Sequence, residues 1–351
     1  MIKLWTRIFW STAIIAVFCS ASAQALVILQ YHHIANDTPA ITSTDPLVFG
    51  QQLDHLIEAG IAVVSLPEAL QANPASNQAG RPIQVAITFD DAYPSVFDTA
   101  LPMLKARGMP FTLFVATDLV GAAGGGYLSW DQIKELKAAG GTIANHSTQH
   151  QHWARIPSDT SVDEWIDAFV DDTLTAQATL DARLGEGPKL YALPYGEYFP
   201  ALAEALRALG FAVFGQQSGA MSLPPQAVIP RFPMGGRYSD IAQFKTKVKS
   251  LAFPIQPVAH DPRLTALESR PIVNLKQIAK TDLSTITCFG PEGRLHSEAV
   301  GHTVLVSAST PIPPGRARYN CTQMSTQPGR FYWHSFFWMK LQADNTWYPE
   351  R

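Results

Sequence analysis

The chain has 351 residues, 46% of them hydrophobic and 16% charged, with a formal net charge of -3 at pH 7. That composition is typical of a core-forming protein and excludes a largely disordered chain, while the length exceeds what one core usually serves, so we expect two domains. The slightly negative charge argues against a nucleic-acid partner.

The first residues have the pattern of a secretory signal peptide. Lys3 and Arg7 precede a mostly apolar stretch over residues 8–18, and small residues at 21–23, or alternatively 23–25, offer a cleavage site. The apolar stretch is short for a membrane span. We therefore predict that residues 1–25 are removed and that the mature chain is periplasmic or secreted without a stable membrane span. An uncleaved anchor is the open alternative.

Residues 26–253 alternate between strand-like and helix-like patterns. Repeated βα units imply a parallel sheet with helical crossovers, and about seven of them predict an α/β fold with a closed or nearly closed barrel. Apolar runs predict strands at 26–31, 61–65, 83–89, 111–116, 142–145, 190–193 and 211–214. Helices are predicted at 49–59, 94–106, 129–139, 162–184 and 200–209, with Ser129 as an N-cap.

Polar residues with metal-binding side chains follow two of these strands. Asp90 and Asp91 end the third apolar run, and His146 and His150 follow the fifth. Functional side chains of α/β barrels collect at the C-terminal ends of strands. Two imidazoles and two carboxylates are enough for a two-His, one-carboxylate metal site with a second carboxylate as base. The alternative is that the aspartates cap the next helix and the histidines face solvent.

The C-terminal part has a different pattern. Residues 254–270 hold three prolines with little periodicity and are predicted to be a linker. Residues 271–351 contain short β-rich runs such as 303–307, separated by Pro and Gly turns, which predicts a small all-β, sandwich-like domain. The aromatic run at 331–338 is expected to form mostly sandwich core and domain interface, with carbohydrate binding as the alternative.

Two cysteines, Cys288 and Cys321, remain once the signal peptide is removed. An even number in an oxidising compartment predicts one disulfide, which could stabilise the fold by about 3 to 4 kcal/mol. Two buried free thiols are the alternative.

The stretch from Gln30 to about Leu251 resembles the NodB-like polysaccharide deacetylases, carbohydrate esterase family four, which have a distorted (β/α) barrel. The resemblance lies in YHHI at 31–34, TFDD at 88–91, HSxxH at 146–150 and PYG at 194–196. The Tyr-His-His opening and the Leu-Pro-Tyr-Gly stretch are similar to the branch that acts on poly-N-acetylglucosamine.

The resemblance implies a role for each site residue. Asp91, His146 and His150 would hold one divalent ion, zinc first, with cobalt, nickel or iron as alternatives. Asp90 would be the catalytic base, acting on a water bound at the ion, and a backbone N–H near Tyr195 would complete the oxyanion hole.

The activity implied is that of a metal-dependent polysaccharide N-deacetylase, a hydrolase acting on C–N bonds other than peptide bonds. Its substrate would be an acetylated aminosugar polymer: poly-N-acetylglucosamine, a chitin-like polymer or peptidoglycan. The alternative is a non-catalytic exported polysaccharide-binding protein on the same fold.

Two residues of the family pattern are missing from this sequence. The third motif usually begins with an Arg that orients the base, and Ala192 stands there. Arg231 could supply that charge from the next strand; alternatively it is a surface or packing residue. The acid of the last motif has no clear counterpart, and His260 and His32 are candidates.

Substrate contacts are the least constrained part of the predicted site. Tyr195 and Tyr198 are predicted to contact sugar rings, with packing against the barrel rim as the alternative for both. His32 and Pro194 are the other predicted substrate contacts.

Overall fold

The computed structural model describes residues 26–71, 83–122, 124–222, 225–253, 255–257, 260–268, 270–277 and 282–350. The predicted signal peptide lies outside these ranges. No helix in the described ranges combines the length and the apolar character needed to cross a membrane.

The N-terminal half is built on an eight-stranded parallel sheet that curves into a partial barrel. Its strands are β1 (Leu26–Tyr31), β4 (Ala62–Val63), β5 (Gln84–Phe89), β6 (Phe111–Val115), β7 (Gly141–Asn145), β8 (Leu190–Ala192), β9 (Ala212–Phe214) and β10 (Phe232–Pro233), while β2 (His33–Ile34) and β3 (Ser43–Thr44) pair separately. The order is β10-β1-β5-β6-β7-β8-β9, with β4 paired to β5. The predicted α/β barrel is confirmed. Between β9 and β10 the described residues form an isolated parallel bridge, Phe214 with Ile229, rather than a full strand pairing.

Helices connect these strands. They are α1 (Pro46–Glu58), α2 (Leu66–Gln71), α3 (Leu101–Lys105), α4 (Trp130–Ala138), α5 (Val162–Leu184), α6 (Pro200–Ala208) and α7 (Ile241–Lys247). A π-helical turn, Val96–Ala100, leads into α3, whose Pro102 lacks the N–H that a regular α-helix would use. Ser129 caps α4 in a capping box, as predicted.

The two faces of β1 show how the sheet is buried. Val27 and Leu29 belong to the apolar cluster beneath α1, whereas Leu26 and Ile28 belong to the cluster inside the barrel. Because side chains alternate along a strand, Gln30 also points into the barrel. The same alternation on β5 directs Thr88, and Asp90 just beyond it, to the inner side. Polar side chains therefore point into the barrel at the C-terminal ends of its strands.

The described residues of the C-terminal half include ten further strands. They are β11 (Leu251–Ala252), β12 (Ile255–Pro257), β13 (Arg263–Leu264), β14 (Ile272–Gln277), β15 (Thr287–Gly290), β16 (Gly293–Arg294), β17 (His296–Val300), β18 (Thr303–Ser307), β19 (Gly315–Met324) and β20 (Phe331–Lys340). One sheet has the order β11-β20-β19-β15-β16 with β13 on β20, and the other has the order β12-β14-β18-β17.

These two sheets pack face to face. An apolar cluster that includes Val273 and Val304 from one sheet and Tyr319 and Phe336 from the other lies between them. The predicted sandwich-like region is therefore confirmed.

The segment predicted to be a linker, 254–270, contributes strands to these sheets. Its β12 pairs with β14 and its β13 pairs with β20, so at least five of its residues belong to strands of these sheets. Strands of two and three residues are too short to show a period, and Pro262 lies directly before β13, where a strand tolerates proline. A division of the chain into two domains on either side of this segment stays a prediction.

Strand β20 joins the sandwich to the barrel. Phe336 and Trp338 face the sandwich core, whereas Phe337 and Met339, on the other face, pack in a barrel cluster. Nearer the start of β20, the Trp333 ring lies edge-on to Phe232 of β10, with ring centroids 5.3 Å apart. The prediction that the aromatic run forms both core and interface is confirmed.

Cys288 and Cys321 form a disulfide between β15 and β19, where they are register partners. Both are fully buried in the sandwich core. Labelling of free thiols in the unreduced, denatured chain lacking residues 1–25 should find neither cysteine. Reduction should lower the free energy of unfolding by about 3 to 4 kcal/mol. Stoichiometric labelling of both thiols would contradict the bridge.

Acid should destabilise the sandwich through His334 on β20, whose ring lies 4.8 Å from that of Phe336. Burial, and secondly the nearby His260, lower the pKa of His334 from 6.5 to about 4. The unfolded chain therefore binds this proton at higher pH than the folded chain does. As pH falls through that interval, this group should reduce the free energy of unfolding by at most about 1.4 kcal/mol per pH unit.

Urea unfolding across the same pH interval tests the His334 prediction. His334→Gln should flatten the decline in stability, whereas His296→Gln, on the exposed strand β17, should leave it as in the wild type. A His334→Gln curve that runs parallel to the wild-type curve would assign the decline to other groups.

Candidate active site

Backbone strain is concentrated at the C-terminal end of the barrel. The described residues include six non-glycine positions with positive φ, and five of them follow β5, β7 or β8: Asp91, Ala92, Ser147, His150 and Tyr195. Each such conformation costs of order 1 kcal/mol or more and persists only where its surroundings hold it. Clusters of this kind are typical of functional sites.

The three predicted metal ligands converge there. The Nε2 atoms of His146 and His150 lie 3.2 and 3.3 Å from Oδ1 of Asp91. One ligand atom from each of the three residues falls within 4.8 Å of the others. The left-handed conformation of Asp91, φ 72°, turns the chain directly after Asp90. This turn allows two adjacent carboxylates to occupy different positions in the site.

The donor chemistry fits a divalent metal ion. His146 Nδ1 lies 2.7 Å from the carbonyl oxygen of Ala192 and donates to it, which leaves a lone pair on Nε2. That Nε2 and Asp91 Oδ1 are both buried without a hydrogen-bond partner. Two facing acceptors would be satisfied together by a cation. Burial lowers the pKa of His150 to about 4, which keeps this imidazole in the neutral form that binds metals.

Asp90 is held from two sides. The Arg231 guanidinium donates from Nη1 to Oδ1 at 2.7 Å and from Nη2 to Oδ2 at 2.8 Å, and Gln30 donates to Oδ2 at 2.6 Å. Both members of the ion pair are fully buried. Burial alone would raise the pKa of Asp90, but the Arg231 charge outweighs it and holds that pKa below its ordinary value. The carboxylate is therefore ionised and oriented.

Arg231 lies directly before β10 and reaches into the barrel. Its Nε donates to the Gly215 carbonyl at 2.9 Å, and its guanidinium carbon is 5.2 Å from the centre of the Phe114 ring. Phe114 and Ala192 share one apolar cluster, so the small side chain of Ala192 belongs to the same interior region. The alternative of a surface arginine is wrong, because Arg231 is fully buried and paired.

The two candidates for the acid lie in different places. His32 Nε2 is 4.0 Å from Asp91 Oδ2, at the edge of the ligand group. His260 instead packs on the sandwich, with its ring 4.6 Å from that of Trp338 and its Nε2 3.4 Å from the Phe337 carbonyl oxygen. His32 is therefore the candidate that the fold brings to the site.

The predicted substrate contacts lie at different places relative to the ligand group. The Tyr195 ring lies 4.3 Å from that of His150 and borders the ligand group. Pro194 is buried beside it. Tyr198 packs against a barrel cluster that contains Trp153, and burial raises the pKa of its hydroxyl to about 12. Substrate roles for Pro194 and Tyr198 stay predictions.

The sequence patterns missed several neighbours of the site. Gln30 was recognisable only as a polar residue within an apolar strand. The Tyr93 ring stacks on His33 at 3.7 Å and on Tyr127 at 5.5 Å. Burial and the neighbouring Asp91 carboxylate raise the pKa of Tyr93. Its position two residues after Asp91 was the available signal.

The chain is similar to known polysaccharide deacetylases. Residues 77–214 match the family model for polysaccharide deacetylase. The YxkH protein of Bacillus subtilis, described as a putative polysaccharide deacetylase, is 36% identical over 66 residues, which span 19% of this chain and only 23% of the relative.

Solved structures are similar over the barrel. IcaB from Ammonifex degensii is 32% identical with a TM-score of 0.50, covering 59% of this chain and 91% of that one. The deacetylase PplD of Streptococcus pyogenes, solved with acetate, has the same fold at 22% identity and a TM-score of 0.54, covering 62% of this chain and 95% of that one. The family model spans both motifs that contain the predicted metal ligands, and the likeness to IcaB extends over nearly all of that structure. This chain belongs to the NodB-like polysaccharide deacetylase family of enzymes.

Proposed function

We propose that this protein is a metal-dependent enzyme that removes N-acetyl groups from an aminosugar polysaccharide. The observation that carries the proposal is the convergence of Asp91, His146 and His150 beside an Asp90 carboxylate fixed by Arg231. A divalent ion at these ligands, zinc first, with cobalt, nickel or iron as alternatives, would supply Lewis acidity toward water and the acetamide oxygen.

Asp90 is suited to act as the base. An ionised carboxylate has about four lone-pair positions. The contacts with Arg231 and Gln30 use one on Oδ1 and two on Oδ2. The remaining position on Oδ1 can accept a proton from the attacking water, and the arginine fork keeps that oxygen in place while it does so.

His32 and Tyr195 would complete the reaction. His32, at the edge of the ligand group, is the proposed donor of a proton to the departing amine. The backbone N–H of Tyr195 is the proposed oxyanion donor, because its left-handed turn, φ 58°, lies beside His150. A single donor of this kind is typically worth about 3 kcal/mol in the transition state.

Acetate would be the small product, and the structure of PplD is that of a deacetylase in complex with acetate. The candidate polymers are poly-N-acetylglucosamine, a chitin-like polymer and peptidoglycan. Export to the periplasm or the outside of the cell, proposed from the N-terminal sequence, would bring the enzyme to such polymers. The absence of an arginine at Ala192 favours the alternative of a non-catalytic binding protein, and the buried pair of Arg231 and Asp90 argues against that alternative.

Acetate release from each of the three polymers tests the function. The chain lacking residues 1–25 should release acetate from at least one polymer, lose this activity on treatment with a chelator and regain it when a divalent metal is returned. A metal-loaded protein that releases acetate from none of them would contradict the proposal.

Substitutions should separate metal binding from catalysis. Asp91→Ala, His146→Ala and His150→Ala should each abolish tight metal binding, measured as metal content after dialysis. Asp90→Asn should keep the metal but lower acetate release by about 100-fold or more. Asp131→Asn, at an exposed aspartate of α4, is the matched control and should change neither. Near-normal turnover of Asp90→Asn would show that another group is the base.

Arg231→Ala should lower the turnover number by about 10- to 100-fold with little change in metal content. It should also reduce the free energy of unfolding by about 3 to 5 kcal/mol, since it leaves a buried carboxylate unpaired. Without the guanidinium, burial should raise the pKa of Asp90, so the acidic limb of the pH–rate profile should move to higher pH.

Two further variants test the geometry at Arg231. Arg231→Lys should restore little of the turnover number that Arg231→Ala loses, because an ammonium group lacks the planar fork of a guanidinium. Adding Ala192→Arg to the Arg231→Ala variant should recover part of the rate. Wild-type turnover and an unshifted pH profile in Arg231→Ala would exclude a role in orienting Asp90.

A further inference from the structure

A second buried charge network lies beside the site, centred on Glu197. Its Oε1 accepts hydrogen bonds from Arg155 Nη2 at 2.8 Å, Arg316 Nε at 2.9 Å and the Tyr348 hydroxyl at 2.8 Å. Its Oε2 accepts from Arg155 Nε at 3.0 Å, and His152 Nδ1 lies 2.9 Å away. The Glu197 side chain is fully buried. Both of its oxygens are therefore engaged by protein groups.

Glu350, near the C-terminus, closes the network. Its Oε1 lies 2.7 Å from Arg155 Nη2 and 2.6 Å from Arg316 Nη2. The partners of Glu197 thus come from the loop after β7, from β19 and from the last residues of the described chain. Two carboxylates and two guanidinium groups balance one another in charge.

The network is a structural clamp rather than a metal site. His152, Glu197 and Glu350 offer ligand atoms within 4.8 Å of one another, but the two arginines already contact both oxygens of Glu197 and Oε1 of Glu350. Burial alone would raise the pKa of Glu197. The hydrogen bonds from His152 and Arg155 and the charge of Arg316 outweigh burial and hold that pKa below its ordinary value.

The network contacts the active site through Tyr195. The His152 ring stacks on the Tyr195 ring, with centroids 3.6 Å apart and planes 11° from parallel. The Arg316 guanidinium carbon is 5.3 Å from the centre of the same ring. Tyr195 in turn lies against the predicted metal ligand His150. Glu197 is only two residues after Tyr195, so the network holds both the ring and the backbone of this turn.

We propose that the C-terminal half is a working part of the deacetylase site, in which Arg316 and Glu350 act through Glu197 as positioning residues for the Tyr195 turn. The inference rests on the proposed function. The φ of 58° at Tyr195 is unfavourable for a residue with a side chain and needs long-range contacts to maintain it. Three of these contacts originate more than a hundred residues away, in β19 and at the C-terminus.

Arg316→Met and Glu350→Gln in the full mature chain test the clamp. Arg330→Met is the matched control, because Arg330 also connects the C-terminal half to the barrel, through the Lys249 carbonyl at 2.9 Å. Its other side-chain hydrogen bond in the described ranges goes to Gln327 rather than to the Tyr195 turn. Two quantities are measured for each variant: amide hydrogen exchange of residues 195–198 and steady-state kinetics of acetate release.

We expect exchange in this turn to accelerate by about tenfold in Arg316→Met and Glu350→Gln and to stay at the wild-type rate in Arg330→Met. The turnover number should fall by about tenfold, with KM changed by less than about twofold and metal content unchanged. Arg316→Lys should recover part of the rate, because it restores a positive charge near Glu197.

Different contrary results would contradict the clamp, its catalytic role or the proposed function. Unchanged exchange in both variants would overturn the clamp, whether or not the protein releases acetate. Faster exchange with an unchanged turnover number would overturn its catalytic role. If the wild type releases no acetate, the proposed function fails while the exchange measurement still decides the clamp. Should Arg316→Met not fold, Glu350→Gln, at a partly exposed residue, carries the test.

Discussion

The buried ion pair between Asp90 and Arg231 is the constraint on which the site depends. Taking two charges out of water is costly, and only a tight fork with further hydrogen bonds offsets that cost. The Gln30 side chain and the Gly215 backbone carbonyl supply those bonds, so an apolar residue in place of Gln30 would remove a hydrogen-bond donor from the buried Asp90 carboxylate. A barrel interior that could be filled by aliphatic side chains instead holds an ionised carboxylate at its C-terminal end.

Much of this arrangement could be predicted from the sequence because it follows from local rules. Apolar runs define the strands of a parallel sheet, and such strands end at one rim, so Asp91, His146 and His150 had to lie near each other once the runs were recognised. Helix α5 agrees with its predicted bounds because its capping box is local as well. Helices α2 and α7 were not predicted, because both are too short to show a clear period.

Features that depend on distant partners could not be inferred locally. Arg231 and Asp90 are 141 residues apart in the sequence. The sequence signal for their contact was the absence of the family's arginine at Ala192. His260 was a candidate acid by its place in the sequence, but β13 pairs with β20, and this pairing places it on the sandwich. The strands within residues 254–270 were not predicted for the same reason: two- or three-residue strands form only because a longer partner strand is already in place.

The strained turns connect these observations. Asp91, His150 and Tyr195 adopt left-handed conformations that their own side chains disfavour, so the energy that maintains them must come from elsewhere in the chain or from a ligand. At Asp91 the proposed cation would supply it, and at Tyr195 the Glu197 network does. Arg316 belongs to β19, and the other face of this strand lies in the sandwich core beside the disulfide. The packing of the C-terminal sheets therefore fixes the position from which Arg316 contacts Glu197, next to the site. The proposed positioning role of Arg316 therefore makes the turnover number of the barrel site depend on the packing of the sandwich.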